Sequence, residues 1–185
     1  MKKNRKYKKV KAPKKIKLDS IPKIHRRLFK MWSIIVRKIG KCEYCGTVKG
    51  EPDKSGKPLK KIDAHHLVTR YIKDNPLKWD ILNSVAVCSS CHKFNSDSFH
   101  KSPVTTMDWL IKNHPERFNH VLKHIKDCVD LDNRKVLEEI EARLMAGQGL
   151  DIEKLQQIET QFPREVKKPV EEVGNLFDEP PQTSS

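Results

Sequence analysis

Four of the five cysteines fall into two Cys-x2-Cys pairs, a pattern typical of a zinc site. The pairs are Cys42 with Cys45 and Cys88 with Cys91. Each pair can bend through a tight turn so that both sulfurs reach one ion, and two such turns make a closed tetrahedral site with Zn–S distances of about 2.3 Å. A closed site is structural, because it leaves no coordination position for a substrate. The alternative is four unpaired thiols at coincidental spacing.

Three histidines and an asparagine stand between and beside these pairs. His65 and His66 lie on a predicted strand, where adjacent side chains point to opposite sides. One imidazole could bind a divalent metal while the other, with an ordinary pKa of about 6.5, takes a proton from water. Asn83 precedes the second pair, and His92 directly follows Cys91. A nuclease needs such a base and such a metal; the alternative is a histidine pair on the surface or in the core with no chemical role.

The order of these residues resembles the HNH, or ββα-metal, nucleases. In that family a Cys pair is followed by an Asp-His or His-His pair, then an Asn, then a second Cys pair with Asn or His directly after it. Here Asn83 and His92 stand nine residues apart, which fits the family. The opening helix, the stretch 77–80 and Trp109 resemble more narrowly the phage recombination endonucleases of the NinG (Rap) type. The resemblance covers roughly residues 28–112.

Carried onto this sequence, the resemblance implies a metal-dependent endonuclease that hydrolyses DNA, with branched or recombination DNA as candidate substrates. His66 would be the general base, Asn83 would orient the base or its loop, and His65 and His92 would bind the catalytic metal. Mg²⁺ or Mn²⁺ is expected, but His65 stands where the commonest members have Asp, which leaves Ni²⁺ and Zn²⁺ open. Asp63 could also support a histidine through a hydrogen bond. The candidate additional ligands are Asp63, Asn95 and His100.

The charge of the chain indicates a polyanionic partner. The formal net charge is +14; residues 131–185 hold 12 acidic and 7 basic residues, a net of −5, so residues 1–130 carry +19. Residues 1–17 hold ten Lys or Arg and no acid, which predicts an arm that lies along phosphates. The alternative for the arm is a solvated tail. The predicted DNA-binding residues are Lys2, Lys3, Arg5, Lys6, Lys8, Lys9 and Arg70.

Hydropathy argues against a membrane partner. No stretch approaches the roughly 20 apolar residues of a membrane-spanning helix, and no apolar segment follows the basic residues at the start, as it would in a signal peptide. We therefore expect a cytoplasmic protein, because thiols stay reduced and bind metal in that compartment. The likeness to phage enzymes implies that the cell is a bacterial or phage-infected host cell.

The apolar pattern predicts an α+β fold with flanking helices and a helical C-terminal extension. The resemblance to the HNH nucleases implies that its centre is a small ββα-metal core clamped by the four-cysteine zinc site. Asp19 or Ser20 caps a first helix that ends near Gly40. Short strands are expected at residues 61–68 and 84–87, followed by helices that include a buried Cys128. The first helix has one apolar face, made of Ile24, Leu28, Met31, Ile35 and Ile39. The later helices are expected at residues 105–112, 117–129, 133–144 and 151–161.

These patterns divide the chain into four parts and leave its partners open. The C-terminal helices could bind a protein partner or extend the core, and a homodimer is a candidate assembly. A non-catalytic zinc-knuckle protein that binds nucleic acid is the main functional alternative, and RNA processing is a third; the histidines and Asn83 are surplus to a passive module. The predicted parts are a disordered basic arm at 1–19, the HNH nuclease domain at 20–130, the helical extension at 131–162 and a disordered tail at 163–185.

Overall fold

The computed structural model describes residues 19–52 and 56–163. Seven regular elements and three short helical turns make up this part of the chain, which confirms the predicted α+β class. The elements are α1 (Ile21–Arg37), β1 (Ile62–His66), β2 (Ser84–Cys88), α2 (Pro103–Asn113), α3 (Pro115–His124), α4 (Arg134–Met145) and α5 (Ile152–Gln161). The turns are two 3-10 turns at Pro76–Trp79 and Ile81–Asn83 and a π-helical turn at Ser90–Phe94.

The two strands form an antiparallel sheet in which Asp63 faces Val87 and His65 faces Val85. All five residues of β2 are buried, so both faces of this strand are covered. That burial explains why its sequence is a short apolar run rather than an alternating one. Only Ile62 is fully buried in β1, and the strand's polar side chains lie at the edges of the core.

Helix α1 covers one face of the sheet, but its buried side differs from the predicted one. Leu28, Trp32 and Val36 are buried at a spacing of four, in line with Ile24. The predicted Ile39 is 42% exposed, because the helix ends at Arg37. The prediction was wrong at this end of the helix, since Trp32 and Val36 continue the row that meets the sheet. The predicted Met31 and Ile35 are partly buried beside the core.

Helices α4 and α5 form the predicted hairpin, and each begins at a side-chain cap. Asn133 accepts a hydrogen bond from the Lys135 amide at 3.0 Å, and Asp151 accepts one from the Lys154 amide at 3.0 Å. The hairpin's buried side chains belong to the same hydrophobic core as those of α1. The core therefore continues across residue 130, and a protein partner at the outer side of the hairpin stays a prediction.

One ion pair joins α4 to α1 at the edge of this packing. The Arg27 guanidinium donates to both carboxylate oxygens of Glu141, at 2.6 and 2.8 Å, and it also contacts Asp19 at 2.5 Å. A two-point guanidinium–carboxylate contact fixes orientation as well as distance. The acidic character of the C-terminal part is thus partly matched within the chain, on the basic first helix.

Cys128 corrects the sequence prediction, because it is exposed and lies outside any helix. Helix α3 ends at His124, earlier than the predicted residue 129. The buried Asn75 side chain explains the end: its amide donates to the carbonyl oxygens of Ile125 at 2.9 Å and Asp127 at 3.3 Å. A side chain that takes these carbonyls holds the chain in a loop instead of another helical turn.

We predict that Ile140→Ala lowers the free energy of unfolding of the whole protein by about 2–5 kcal/mol, since a fully buried isoleucine leaves a cavity when truncated. Urea unfolding of the zinc-loaded chain, followed by far-ultraviolet circular dichroism and tryptophan fluorescence, measures the change. The matched control is Val104→Ala, which removes an 82% exposed side chain and should change stability by less than about 0.5 kcal/mol. A hairpin that unfolds in a separate, earlier transition would contradict the shared core.

Candidate functional site

The structure brings the four predicted cysteines together. Cys42 and Cys45 lie in the turn after α1, Cys88 ends β2, and Cys91 lies in the π-helical turn that follows. Their sulfur atoms all lie within 4.8 Å of one another, and the Cys45 and Cys88 sulfurs are 3.9 Å apart. Four sulfurs about 2.3 Å from a tetrahedral ion are about 3.8 Å apart. The cluster could therefore hold a metal ion such as zinc.

Local backbone geometry explains why each pair can turn so tightly. Gly46 has a φ of +78°, a conformation that glycine adopts without steric cost, and its amide donates to the Cys42 carbonyl at 2.8 Å. In the second pair, the Cys91 amide donates to the Cys88 sulfur at 3.4 Å. Backbone N–H groups pointed at sulfur stabilise a thiolate ligand, as a metal site needs.

The four thiols lie so close together that each changes the pKa of its neighbours. A hydrogen bond with Cys91 lowers the pKa of Cys42 to about 5, whereas burial raises the pKa of Cys88 to about 11. The same contact with Cys42, together with burial, raises the pKa of Cys91. One thiolate is stabilised by its protonated neighbours, and a divalent cation is what would allow all four to ionise together.

A second cluster consists of the imidazoles of His65, His92 and His100, in which one nitrogen of each ring lies within 4.8 Å of one nitrogen of each other ring. The Nε2 atoms of His92 and His100 are 3.2 Å apart. Two nitrogens about 2.05 Å from a tetrahedral ion are about 3.3 Å apart, so this spacing fits two ligands of one metal. The structure brings the candidate ligand His100 to the two predicted ligands and leaves Asn95 out of the cluster.

Asp63 stands behind the cluster, two residues before His65 on the same face of β1. Its Oδ2 atom lies 3.3 Å from Nδ1 of His92, which leaves Nε2 of that ring directed at His100. Burial raises the pKa of Asp63, but hydrogen bonds with His92 and Lys61 outweigh it and leave the pKa below its ordinary value. A carboxylate in this position fixes the orientation of a ligand histidine.

The imidazoles of His65 and His92 are held in their neutral form. Burial, followed by the neighbouring His92 and His100, lowers the pKa of His65 to about 3. Burial also lowers the pKa of His92, although the hydrogen bond with Asp63 opposes it. Only a neutral imidazole has a lone pair for a metal, so both rings are ready to serve as ligands at neutral pH.

His66 points to the other face of β1, toward α1, as the alternation of strand side chains predicts. Its ring stacks on that of Trp32, with centroids 3.8 Å apart and an angle of 16° between the planes. Nε2 lies 3.0 Å from the Lys78 carbonyl oxygen. A carbonyl can only accept, so Nε2 carries the proton and Nδ1 keeps its lone pair. Burial lowers the pKa of His66, which also favours the neutral ring.

Asn83 is fully buried and ties together the two ends of the long β1–β2 connection. Its Oδ1 atom accepts from the Val68 amide at 2.7 Å, and its Nδ2 atom donates to the carbonyls of Val68 at 3.1 Å and Leu77 at 3.0 Å. Leu77 directly precedes Lys78, the residue whose carbonyl holds His66. Asn83 thus positions the loop around the predicted base and does not contact the histidine cluster.

A cleft beside His66 was not predicted from the sequence. Helix α1 contributes Phe29 to it, the loop after β1 contributes Arg70 and Tyr71, and the turn before β2 contributes Lys78. These residues are far apart in the sequence, so only the adjacent Arg70-Tyr71 pair could have signalled the cleft. Among the predicted DNA-binding residues, Arg70 lies here; the other six, Lys2, Lys3, Arg5, Lys6, Lys8 and Lys9, lie outside the described residues, as does the tail beyond residue 163.

In comparisons with known proteins, no family model, curated protein or solved structure matches the chain. Within residues 19–52 and 56–163, no helix has both the length and the apolar character required to cross a membrane. The chemistry of the two clusters therefore carries the functional argument.

We predict that the purified chain holds one zinc ion and that Cys42→Ser removes it together with much of the folded structure, because a structural zinc site contributes directly to folding. Metal analysis and circular dichroism measure the two effects. Cys128→Ser is the control and should keep the metal, because Cys128 is exposed and outside the cluster. A thiol-reactive dye should label Cys128 alone in the native protein and all five cysteines after chelation and unfolding. A chain that is folded but contains no metal would refute the prediction.

The loop around His66 should depend on the donor atoms of Asn83. Asn83→Asp keeps the shape and the acceptor but places a carboxylate oxygen against the carbonyls of Val68 and Leu77, so it should lower the free energy of unfolding by at least about 1–3 kcal/mol. Urea unfolding at neutral pH tests this. Asn113→Asp, which alters an exposed contact with the Trp109 carbonyl, should be nearly neutral; equal effects of the two variants would argue against a special role of the Asn83 side chain.

Proposed function

We propose that this protein is a metal-dependent endonuclease of the HNH type that hydrolyses DNA phosphodiester bonds. The convergence of His65, His92 and His100 next to a structural metal cluster carries the proposal. In this proposal β1, β2 and the π-helical turn form a ββα-metal core that the four-cysteine zinc site clamps. Branched or recombination DNA is a candidate substrate, as the narrower likeness to phage enzymes of the NinG (Rap) type implies.

The histidine cluster would hold the catalytic divalent metal. A metal bound there would neutralise charge on the scissile phosphate and on the departing 3′ oxygen. His65, His92 and His100 offer only imidazole nitrogens, which favour Mn²⁺, Ni²⁺ or Zn²⁺ over Mg²⁺. Asp63 would act as a positioning residue, since it contacts His92 by hydrogen bond and makes that ligand more basic.

His66 would be the general base. The Lys78 carbonyl fixes the proton on Nε2, and the Trp32 ring fixes the plane of the imidazole, so Nδ1 is held ready to take a proton from water. In-line displacement places the attacking water and the leaving oxygen on opposite sides of the phosphorus. Two adjacent strand residues with diverging side chains, His65 and His66, suit that division of labour.

The charge of the chain supports a nucleic-acid substrate. Residues 1–130 carry a net +19, and a charge of this size draws DNA to the protein through release of counterions. A passive zinc module would also bind DNA in this way. It would have no use for three converging imidazoles with one nitrogen of each within 4.8 Å of the others, of which His65 and His92 are partly buried at a cost in desolvation energy. This favours the enzyme over the passive module.

We predict that His66→Ala lowers the rate of plasmid nicking about 10²–10⁴-fold with little change in DNA affinity, because a general base acts mainly in the transition state. His92→Ala should instead weaken metal binding, so that its activity recovers in part at high Mn²⁺. Nicking of supercoiled plasmid by the zinc-loaded full chain, titrated with Mn²⁺ or Mg²⁺, separates the two defects.

The matched control for this experiment is His114→Ala, which removes a histidine that lies between α2 and α3, outside both clusters. It should nick at the wild-type rate. Equal rates for wild type and His66→Ala would remove His66 from the mechanism. Absence of cleavage by the wild type on linear, supercoiled and branched DNA, with every divalent ion tried, would favour the non-catalytic nucleic-acid-binding protein.

A further inference from the structure

The cleft beside His66 has a volume of about 330 Å³, at the lower end of the range for small-molecule sites. Two contacts connect it to the proposed base. The Lys78 carbonyl on its wall accepts the hydrogen bond of His66 at 3.0 Å, and the Phe29 ring lies parallel to the His66 ring, with centroids 6.2 Å apart. A group bound in the cleft would therefore lie next to the bond that His66 is proposed to help hydrolyse.

Aromatic rings and cations alternate along this cleft. The Arg70 guanidinium lies 4.8 Å from the centre of the Phe29 ring and 5.1 Å from that of the Tyr71 ring, and it donates to the Tyr71 hydroxyl at 3.1 Å. The Lys78 ammonium, also in the lining, lies 4.9 Å from the centre of the Trp79 ring. Stacked guanidinium and aromatic planes form a platform on which a flat ring can continue the stack.

Tyr71 marks the open end of the platform. Its side chain is 80% exposed, although burial of a large aromatic ring is usually favourable. Every formally charged side chain among the described residues of the lining is a cation: Arg26, Arg70 and Lys78. An exposed aromatic ring among cations is the combination that recognises a base together with its phosphates.

We propose that the cleft binds one unpaired nucleotide of the DNA, with its base stacked on Tyr71 and Arg70 and its phosphates near Arg26 and Lys78. This inference rests on the proposed function and adds to it a substrate class, DNA with a single-stranded segment at the cleavage site. The bases of an intact duplex are stacked on each other and present only their edges in the grooves, so paired DNA can offer a base face to Tyr71 only by breaking a base pair and its stacking. A gap, a flap or the unpaired centre of a branched structure can.

The test compares two DNAs of identical sequence, a full duplex and the same duplex with a gap of a few nucleotides in one strand. Fluorescence anisotropy measures both dissociation constants for the zinc-loaded chain without added divalent metal, and denaturing gels verify that the DNA stays intact. Wild type should bind the gapped DNA about 10-fold or more tightly than the duplex, the effect expected for one stacked base. Tyr71→Ala should bring the two constants to within about two-fold of each other, whereas Tyr71→Phe, which keeps the ring, should retain the preference.

Phe162→Ala serves as the control, because it removes an exposed aromatic ring at the end of α5, outside the cleft, and it should keep the preference. Equal binding of both DNAs by wild type, or a preference that survives Tyr71→Ala, would overturn the inference. Cleavage of both DNAs with Mn²⁺ is measured in parallel. Efficient cleavage of paired DNA without any preference for the gap would refute nucleotide binding in the cleft and leave the endonuclease proposal standing. Absence of both binding and cleavage would refute both proposals.

Discussion

The turn between Cys88 and Cys91 is the constraint on which both candidate metal-binding clusters depend. It begins where β2 ends, and the residues after it fold back onto its backbone: the Phe99 amide donates to the Cys91 carbonyl at 2.9 Å and the His100 amide to the His92 carbonyl at 3.3 Å. The contacts that fix the sulfur positions therefore also fix the backbone positions from which the His92 and His100 side chains extend. An ion bound by the cysteines would preorganise the histidine cluster at little further cost in conformational entropy.

On the other side of β1, the buried carboxylate of Asp80 fixes the loop near His66. The Asp80 side chain contacts His120 of α3 at 2.6 Å and accepts from the amides of Leu82 at 3.0 Å and Leu150 at 3.3 Å, while its carbonyl accepts from the Trp32 indole at 3.1 Å. One residue thus joins the β1–β2 connection to α1, α3 and the C-terminal hairpin. Helices α1 and α3 and the C-terminal hairpin therefore help to hold the loop near His66 in place. This explains why the two-stranded sheet is surrounded by helices.

Local features of this protein could be predicted from the sequence, and those set by distant contacts could not. The cysteine pairs, the division of His65 and His66 between two faces, and the caps of the hairpin depend on neighbours within a few residues. The buried row of α1 depends on where the sheet lies, and the loop at Cys128 exists because Asn75, about fifty residues earlier, takes the carbonyls that a longer helix would use. His100 could be named as a ligand candidate, but its place in the cluster is set by a backbone contact that has no sequence signal. The cleft near Tyr71 is built from three separate segments, so no single stretch of sequence could reveal it.

In the proposed mechanism β1 separates the candidate metal site on one face from the candidate general base on the other. Asp63 and His65 face a cluster of nitrogen donors, where a cation would stabilise developing negative charge. His66 faces aromatic rings and a backbone carbonyl that orient it, and its burial keeps it neutral. These environments conflict if they share a space, because a cation near the base would lower its affinity for a proton. Separation by the width of one strand reduces that conflict while both groups remain close to one phosphate. In this proposal the adjacent His65-His66 pair is the shortest way for a chain to present a base and a metal ligand on opposite sides of one reacting group.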